Sequence, residues 1–195
     1  MGATSRLKRL ARLVVRPASA HCDTADGPVV TAGRRALATG QVEHALPWVH
    51  EDAEDEVRSA FDAVRAADAD ATLGAETRFL ETLVRLHRAG EGADFDGIKP
   101  AGTPQPAIVT AADRALAQGS LAVVEPWVDG ASRAGVADRF ATALARRDFD
   151  PRDVPAGRAF VEAYVDYVHH AAHSAAHSPA HSSARSAAHH AATRR

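Results

Sequence analysis

The chain has 195 residues, 46% of them hydrophobic and 5% aromatic, with a net charge of −2 and a single cysteine. That length and apolar content suffice for one domain with a core, and exclude a chain disordered throughout. One cysteine excludes an intramolecular disulfide, and no run approaches the 18 apolar residues of a membrane-spanning helix.

The small net charge hides a partition. Residues 1–20 carry +5 and residues 169–195 carry +3, which leaves −10 on the stretch between them. An acidic core with short basic ends argues against a nucleic-acid-binding surface on the folded part.

Residues 1–20 read as a basic leader or a disordered extension. Ala18-Ser19-Ala20 has the small-residue form of a signal cleavage site. The apolar stretch from Leu10 to Val15 is short and broken by Arg12, so a disordered extension on a cytoplasmic protein is the expectation. Cleavage after Ala20 would instead mean export.

Asp26-Gly27-Pro28 is a helix start, with Asp26 as N-cap and Pro28 in the first turn. The spacing then predicts a helix from about Val29 to Thr39, stopped by Gly40. A short helix follows around 41–49, then helices over 53–66 and 75–89. A Gly- and Pro-rich linker comes next, with Phe95 and Ile98 as anchors. Beyond it the pattern returns: a helix over 107–118 stopped by Gly119, a short helix to Val128, a helix over 131–146 and a last one from about 156. No segment alternates with the period of a strand.

The return is literal. Residues 29–64 match residues 108–143 without a gap, at an offset of 79. VVTAGRRALATG faces IVTAADRALAQG, Trp48 faces Trp127, and Phe61 faces Phe140. After a two-residue insertion FLETLVRL (79–86) faces FVEAYVDY (160–167). An internal repeat implies one unit packed on its copy. The expected fold is therefore an all-α bundle of two tandem units of about 80 residues, related by a pseudo-two-fold axis. Its folded part is 21–170, with repeat 1 at about 26–89, a linker at 90–105 and repeat 2 at about 106–170. Residues 171–195 are low in complexity and are expected to be a disordered His/Ala/Ser-rich tail.

Three constellations carry chemistry. The first is the tail, where seven of the 11 histidines lie at or beyond position 169. His169, His173 and His177 are spaced i, i+4, i+8, so a helix places them on one face, and His170 and His181 lie beside that series. Neutral imidazoles so placed bind zinc, nickel or copper. The second is His21-Cys22-Asp23, a thiol beside an imidazole, which suits a soft metal. The blander reading makes it the entry to the first helix. The third is the repeat-equivalent pair Glu81 and Glu162, each followed by a histidine, His87 or His169. Two carboxylates meeting at a pseudo-dyad need protons, a metal or arginines, and Arg78 and Arg158 lie on the same helices. No nucleophile elbow, Cys-x-x-Cys pair or His-Glu-x-x-His motif is present.

The segments HCDTADGPVV (21–30), FLETLVRLHRAGEGADFDGIKPAG (79–102) and FVEAYVDYVHH (160–170) resemble a bacterial family of unknown function. Its members open with HCDxxDGPVV, carry ETLVRxHRAGEGAPYxGLKPAG near the middle and often end in a His-rich tail. The resemblance implies no activity. Asp94-Phe95-Asp96 departs from the Pro-Tyr-x expected there. His21-Cys22-Asp23 with Gly27 also resembles the N-terminal hook of nickel superoxide dismutase, but Asp26 stands where its second cysteine belongs.

The function these observations imply is transition-metal binding, as storage, buffering or delivery. Its core candidates are His21, Cys22, Glu81, His87, Glu162 and His169; the tail would be an auxiliary chelator through His170, His173, His177 and His181. The alternatives are a metal-dependent redox enzyme using His21 and Cys22, and a metal-free structural or interaction module.

Overall fold

The computed structural model describes residues 21–177; residues 1–20 and the tail from 178, including His181, lie outside the described residues. The described residues form six α-helices: α1 (Pro28–Thr39), α2 (Glu54–Ala66), α3 (Thr72–Gly90), α4 (Ala107–Gln118), α5 (Gly130–Arg146) and α6 (Val154–His177). No strand occurs among the described residues; one isolated parallel bridge joins Thr24 to Lys99.

The order of elements recurs. A helix, three single 3-10 turns and two further helices make the first half, and the second has the same series with two turns. The short helix expected around 41–49 is in fact two 3-10 turns, Val42–His44 and Leu46–Trp48. Pro47 lacks the N–H that a continuing α-helix would use. Gly40 and Gly119 both close their helices at φ 69°, the left-handed conformation that a side chain disfavours.

Each half has its own apolar centre. Val29, Val30, Leu46, Val57, Phe61, Phe79, Leu83 and Val84 form the first, with Phe95 and Ile98 of the linker packed on it as expected. Val109, Val124, Val136, Phe140, Tyr164 and Tyr167 anchor the second. Trp48 packs against both clusters, and Val154 at the start of α6 joins the first. Gly33 lets α1 approach α3 closely, since a Cβ there would lie 2.7 Å from Leu80 Cδ2.

Two local expectations are corrected. The N-cap of α1 is Gly27, with Pro28 at the first helical position. Asp26 instead accepts a hydrogen bond from Gly102 N at 2.9 Å, which ties the chain before α1 to the linker. The last helix also passes the expected boundary at 170. Ala171, Ala172, Ser174 and Ala175 are buried, and the alanines pack in the second cluster with Ala111, Ala112 and Ala115 of α4. No helix among the described residues is long and apolar enough to cross a membrane.

Candidate functional site

Residues 21–26 form a strap that crosses both halves. Asp23 O accepts from Lys99 N at 2.8 Å and Ala25 N donates to Lys99 O at 2.9 Å, so backbone bonds lay the strap along the linker. Its side chains reach further. His21 Nε2 lies 2.7 Å from Asp113 Oδ2 on α4, and the Tyr164 hydroxyl of α6 donates to Asp113 Oδ1 at 2.7 Å. Asp23 pairs with Arg88 near the end of α3 at 3.4 Å. The HCD and HRAGEG segments, far apart in sequence, therefore meet in space.

Cys22 is 3% exposed. Burial, reinforced by the carboxylates of Glu91 and Asp23 and opposed by Arg88, holds its pKa well above the ordinary thiol value. The group is a thiol rather than a thiolate, which is neither a strong nucleophile nor a ready metal ligand. Burial likewise raises Asp23 to about 6, against the opposing pull of Arg88.

The end of α3 supplies the centre of the cluster. His87 is buried, and burial depresses its pKa to about 4, against the opposing effect of its bond to Trp48. The ring is neutral at pH 7. Its Nδ1 lies 2.9 Å from the Trp48 carbonyl oxygen, which can only accept, so Nδ1 carries the proton. The lone pair is therefore on Nε2. That atom is buried without a hydrogen-bond partner and lies 3.7 Å from Glu91 Oε1. His169 Nε2 of α6 lies 3.8 Å from the same oxygen, and Arg88 Nη1 lies 3.3 Å from the other. In the buried cluster the two carboxylates of Asp23 and Glu91 thus share one guanidinium.

His87, Gly90 and Glu91 open onto a groove whose other walls include Trp48, Val161 and Val165. A Cβ at Gly90 would sit 2.6 Å from the exposed ring of His50, which would have to swing aside; the Nε2 of that ring donates to Gly90 O at 3.4 Å.

The structure brings together only part of the expected set. His87 and His169 converge on Glu91. His21 and Cys22 belong to the same buried region, but His21 is held by Asp113. Glu81 and Glu162 are both exposed, contrary to their expected meeting in an apolar interior. An exposed carboxylate is hydrated and needs no such partner. Arg158, expected beside Glu162, instead donates to Val49 O at 3.1 Å and pairs with Glu54 at 2.5 Å. His170 is half-buried against Gly135, and His173 is exposed. The side chain of His177 lies outside the described residues. Among the described residues no group of three or more His, Cys, Asp and Glu side chains is placed to hold a metal ion.

Glu91, Asp113 and Tyr164 went unread in the sequence, yet a signal was there. Asp113 faces Arg34 across the repeat and Tyr164 faces Leu83; His87, Arg88 and Glu91 face Val168, His169 and Ala172. The packing residues recur, and the polar cluster lies where the two matched stretches differ.

A chain whose described residues are all helical, with a buried polar cluster at the end of α3, is the class of protein defined so far. The sequence pattern of a family of unknown function, DUF6448, matches residues 26–170, and the chain belongs to that family. No curated protein and no solved structure matches it.

Proposed function

We propose that this protein binds a divalent transition metal through His87, Glu91 and His169, with the His-rich tail as an auxiliary chelator, in storage, buffering or delivery. We further read the chain as a duplication whose halves are related by a pseudo-two-fold axis, which the recurring element order and the paired caps Gly40 and Gly119 support. The observation that carries the metal reading is His87 Nε2, a buried lone pair with no hydrogen-bond partner, facing a carboxylate oxygen at 3.7 Å. Two acceptors opposed in a buried site call for a cation or proton donor between them. The Nδ1 bond to a backbone carbonyl is the usual way a ligating histidine is oriented.

As they stand the three side chains are not placed to hold an ion, so the reading requires them to close on one. Tetrahedral bonds of about 2.1 Å place donors about 3.4 Å apart. The observed 3.7 and 3.8 Å to Glu91 Oε1 exceed that by a few tenths of an ångström, within reach of side-chain rotation. The buried thiol of Cys22 and the Asp113-held ring of His21 give a redox role of that segment no support.

A metal-free module is the second reading. The ties of His21 to Asp113 and of Asp23 to Arg88 favour it, since they explain the strap as a clasp between the halves.

The test is metal content of the full chain with His170, His173, His177, His181, His189 and His190 changed to alanine, so that only the core can load. About one equivalent of zinc, nickel or copper, lost in H87A, supports the proposal. An empty but folded protein, beside a parent chain that loads, confines binding to the tail and favours the clasp.

A further inference from the structure

We infer that a cleft between the two halves binds a flat aromatic monocarboxylate, its ring against Trp48, Phe149 and Phe160 and its carboxylate toward Arg35 and His44. None of the proposed metal ligands lines this cleft, so the inference stands whether or not the core loads a metal. One wall comes from α1 and the two turns after it, the other from the α5–α6 loop and α6. The space between them is about 330 Å³, the low end for a small-molecule site.

The wall selects a ring. At Gly157 of α6 a Cβ would lie 2.7 Å from Pro47 Cγ and 2.8 Å from Phe149 Cε2, so the two sides close tightly beneath the cleft. Phe149 then sits beside Phe160 with ring centroids 5.6 Å apart, Phe160 stacks on Tyr164 at 6.0 Å, and Tyr164 meets Trp48 edge-on at 6.0 Å. Phe149, Phe160 and Trp48 all line the cleft and are only half-buried, which leaves ring surface facing it. Another flat ring extends that series, because offset and edge contacts between rings add to the area buried.

Charge selects a monoanion. Three of the charged groups lining the cleft are already engaged. Glu43 lies 3.8 Å from Arg58, and Arg147 donates to Leu116 O at 2.8 Å and pairs with Asp148 at 3.5 Å. The exposed guanidinium of Arg35 has no hydrogen bond or ion pair among the described residues. Burial, and then the Arg35 charge, lower the pKa of His44, so its ring is neutral at pH 7 and offers one N–H. A carboxylate accepts from both groups, whereas a ligand ammonium would face a guanidinium. Across the matched stretches Ala122 and Val123 stand opposite Glu43 and His44, so these polar side chains are particular to this cleft.

The test titrates 4-fluorobenzoate into the full chain with a chelator present, read by fluorine NMR. The expected result is a saturable shift, with affinity about threefold weaker in R35A. In F149L, which keeps an apolar side chain but loses the ring, it is about fivefold weaker. In competition, cyclohexanecarboxylate, equal in charge but not flat, displaces the probe about fivefold less well than benzoate. Benzamide, equal in shape but neutral, does so about threefold less well. Absence of a saturable shift overturns the inference. So does an affinity unchanged in R35A or in folded F149L, which would place the probe elsewhere on the chain. Competition by either analogue as strong as that by benzoate overturns it as well. Arg35 is exposed, so R35A decides the matter should F149L not fold.

Discussion

His21, at the first described position, sets its Nε2 2.7 Å from Asp113 Oδ2 on α4 in the opposite half of the chain. The same carboxylate accepts from Tyr164 of α6, so one side chain joins the strap, α4 and α6.

Removing that side chain should release the strap. We expect D113A to cost about 1–3 kcal/mol, since it leaves the buried Tyr164 hydroxyl and the His21 ring without their acceptor. Cys22, the single cysteine, reports the opening. Its reaction with an aromatic disulfide should be about tenfold faster in D113A than in the parent, because local unfolding rather than intrinsic reactivity limits a buried thiol. Equal rates would show that Asp113 does not hold the strap.

His87 gives the metal-free protein an acid-sensitive term. Its pKa falls from 6.5 in the unfolded chain to about 4 in the folded one. The unfolded chain therefore binds the extra proton between those values, and stability present above pH 6.5 is lost as pH falls toward 4. The loss amounts to about 3 kcal/mol for a shift of this size. Asp23 works in the opposite sense, because its pKa rises from 3.8 to about 6 and stability falls as pH rises through that window. Comparing the parent with H87L isolates the histidine, since Asp23 is common to both. Denaturant midpoints at pH 7 and 4.5, with a chelator present, should converge as the pH drops. Parallel curves would remove His87 as the source.

The paired caps make a control on backbone conformation. Gly40 and Gly119 share φ 69°, and an added Cβ at Gly40 meets nothing within 4 Å. G40A should therefore cost about 1 kcal/mol through backbone conformation alone. At Gly119 the nearest neighbours are side-chain atoms at 3.9 and 4.0 Å, ordinary contacts, so G119A should cost about the same. Thermal melts of the two variants would show a mismatch directly.

The helices were legible because their signals are local. The 3.6-residue spacing of Val57, Phe61 and Val64, and the glycines that end α1 and α4, act within a turn or two of where they stand. Membership of the family was legible in the residues as well. Alanine misled at the C-terminal end. Ala171, Ala172 and Ala175 read as low complexity, yet they let α6 lie close against the small residues of α4, and only a neighbouring helix gives them that meaning.

Tertiary structure alone decided the rest. Asp26 had the chemistry of an N-cap, but the linker brought Gly102 N within its reach. Glu81 and Glu162 occupy equivalent repeat positions and both face solvent, because repeat equivalence fixes a place on a helix and not what that face packs against. The sequence around Glu91 points only to its own helix end. The packing of α6 beside that end placed His169 next to it, and burial of each side chain set the protonation of His87 and Cys22. By itself the sequence determined the helices and their order, since these follow from nearest-neighbour chemistry along the chain. Which polar groups meet, and how dry their surroundings are, depends on how two half-cores close on a strap, and that is written in no single segment.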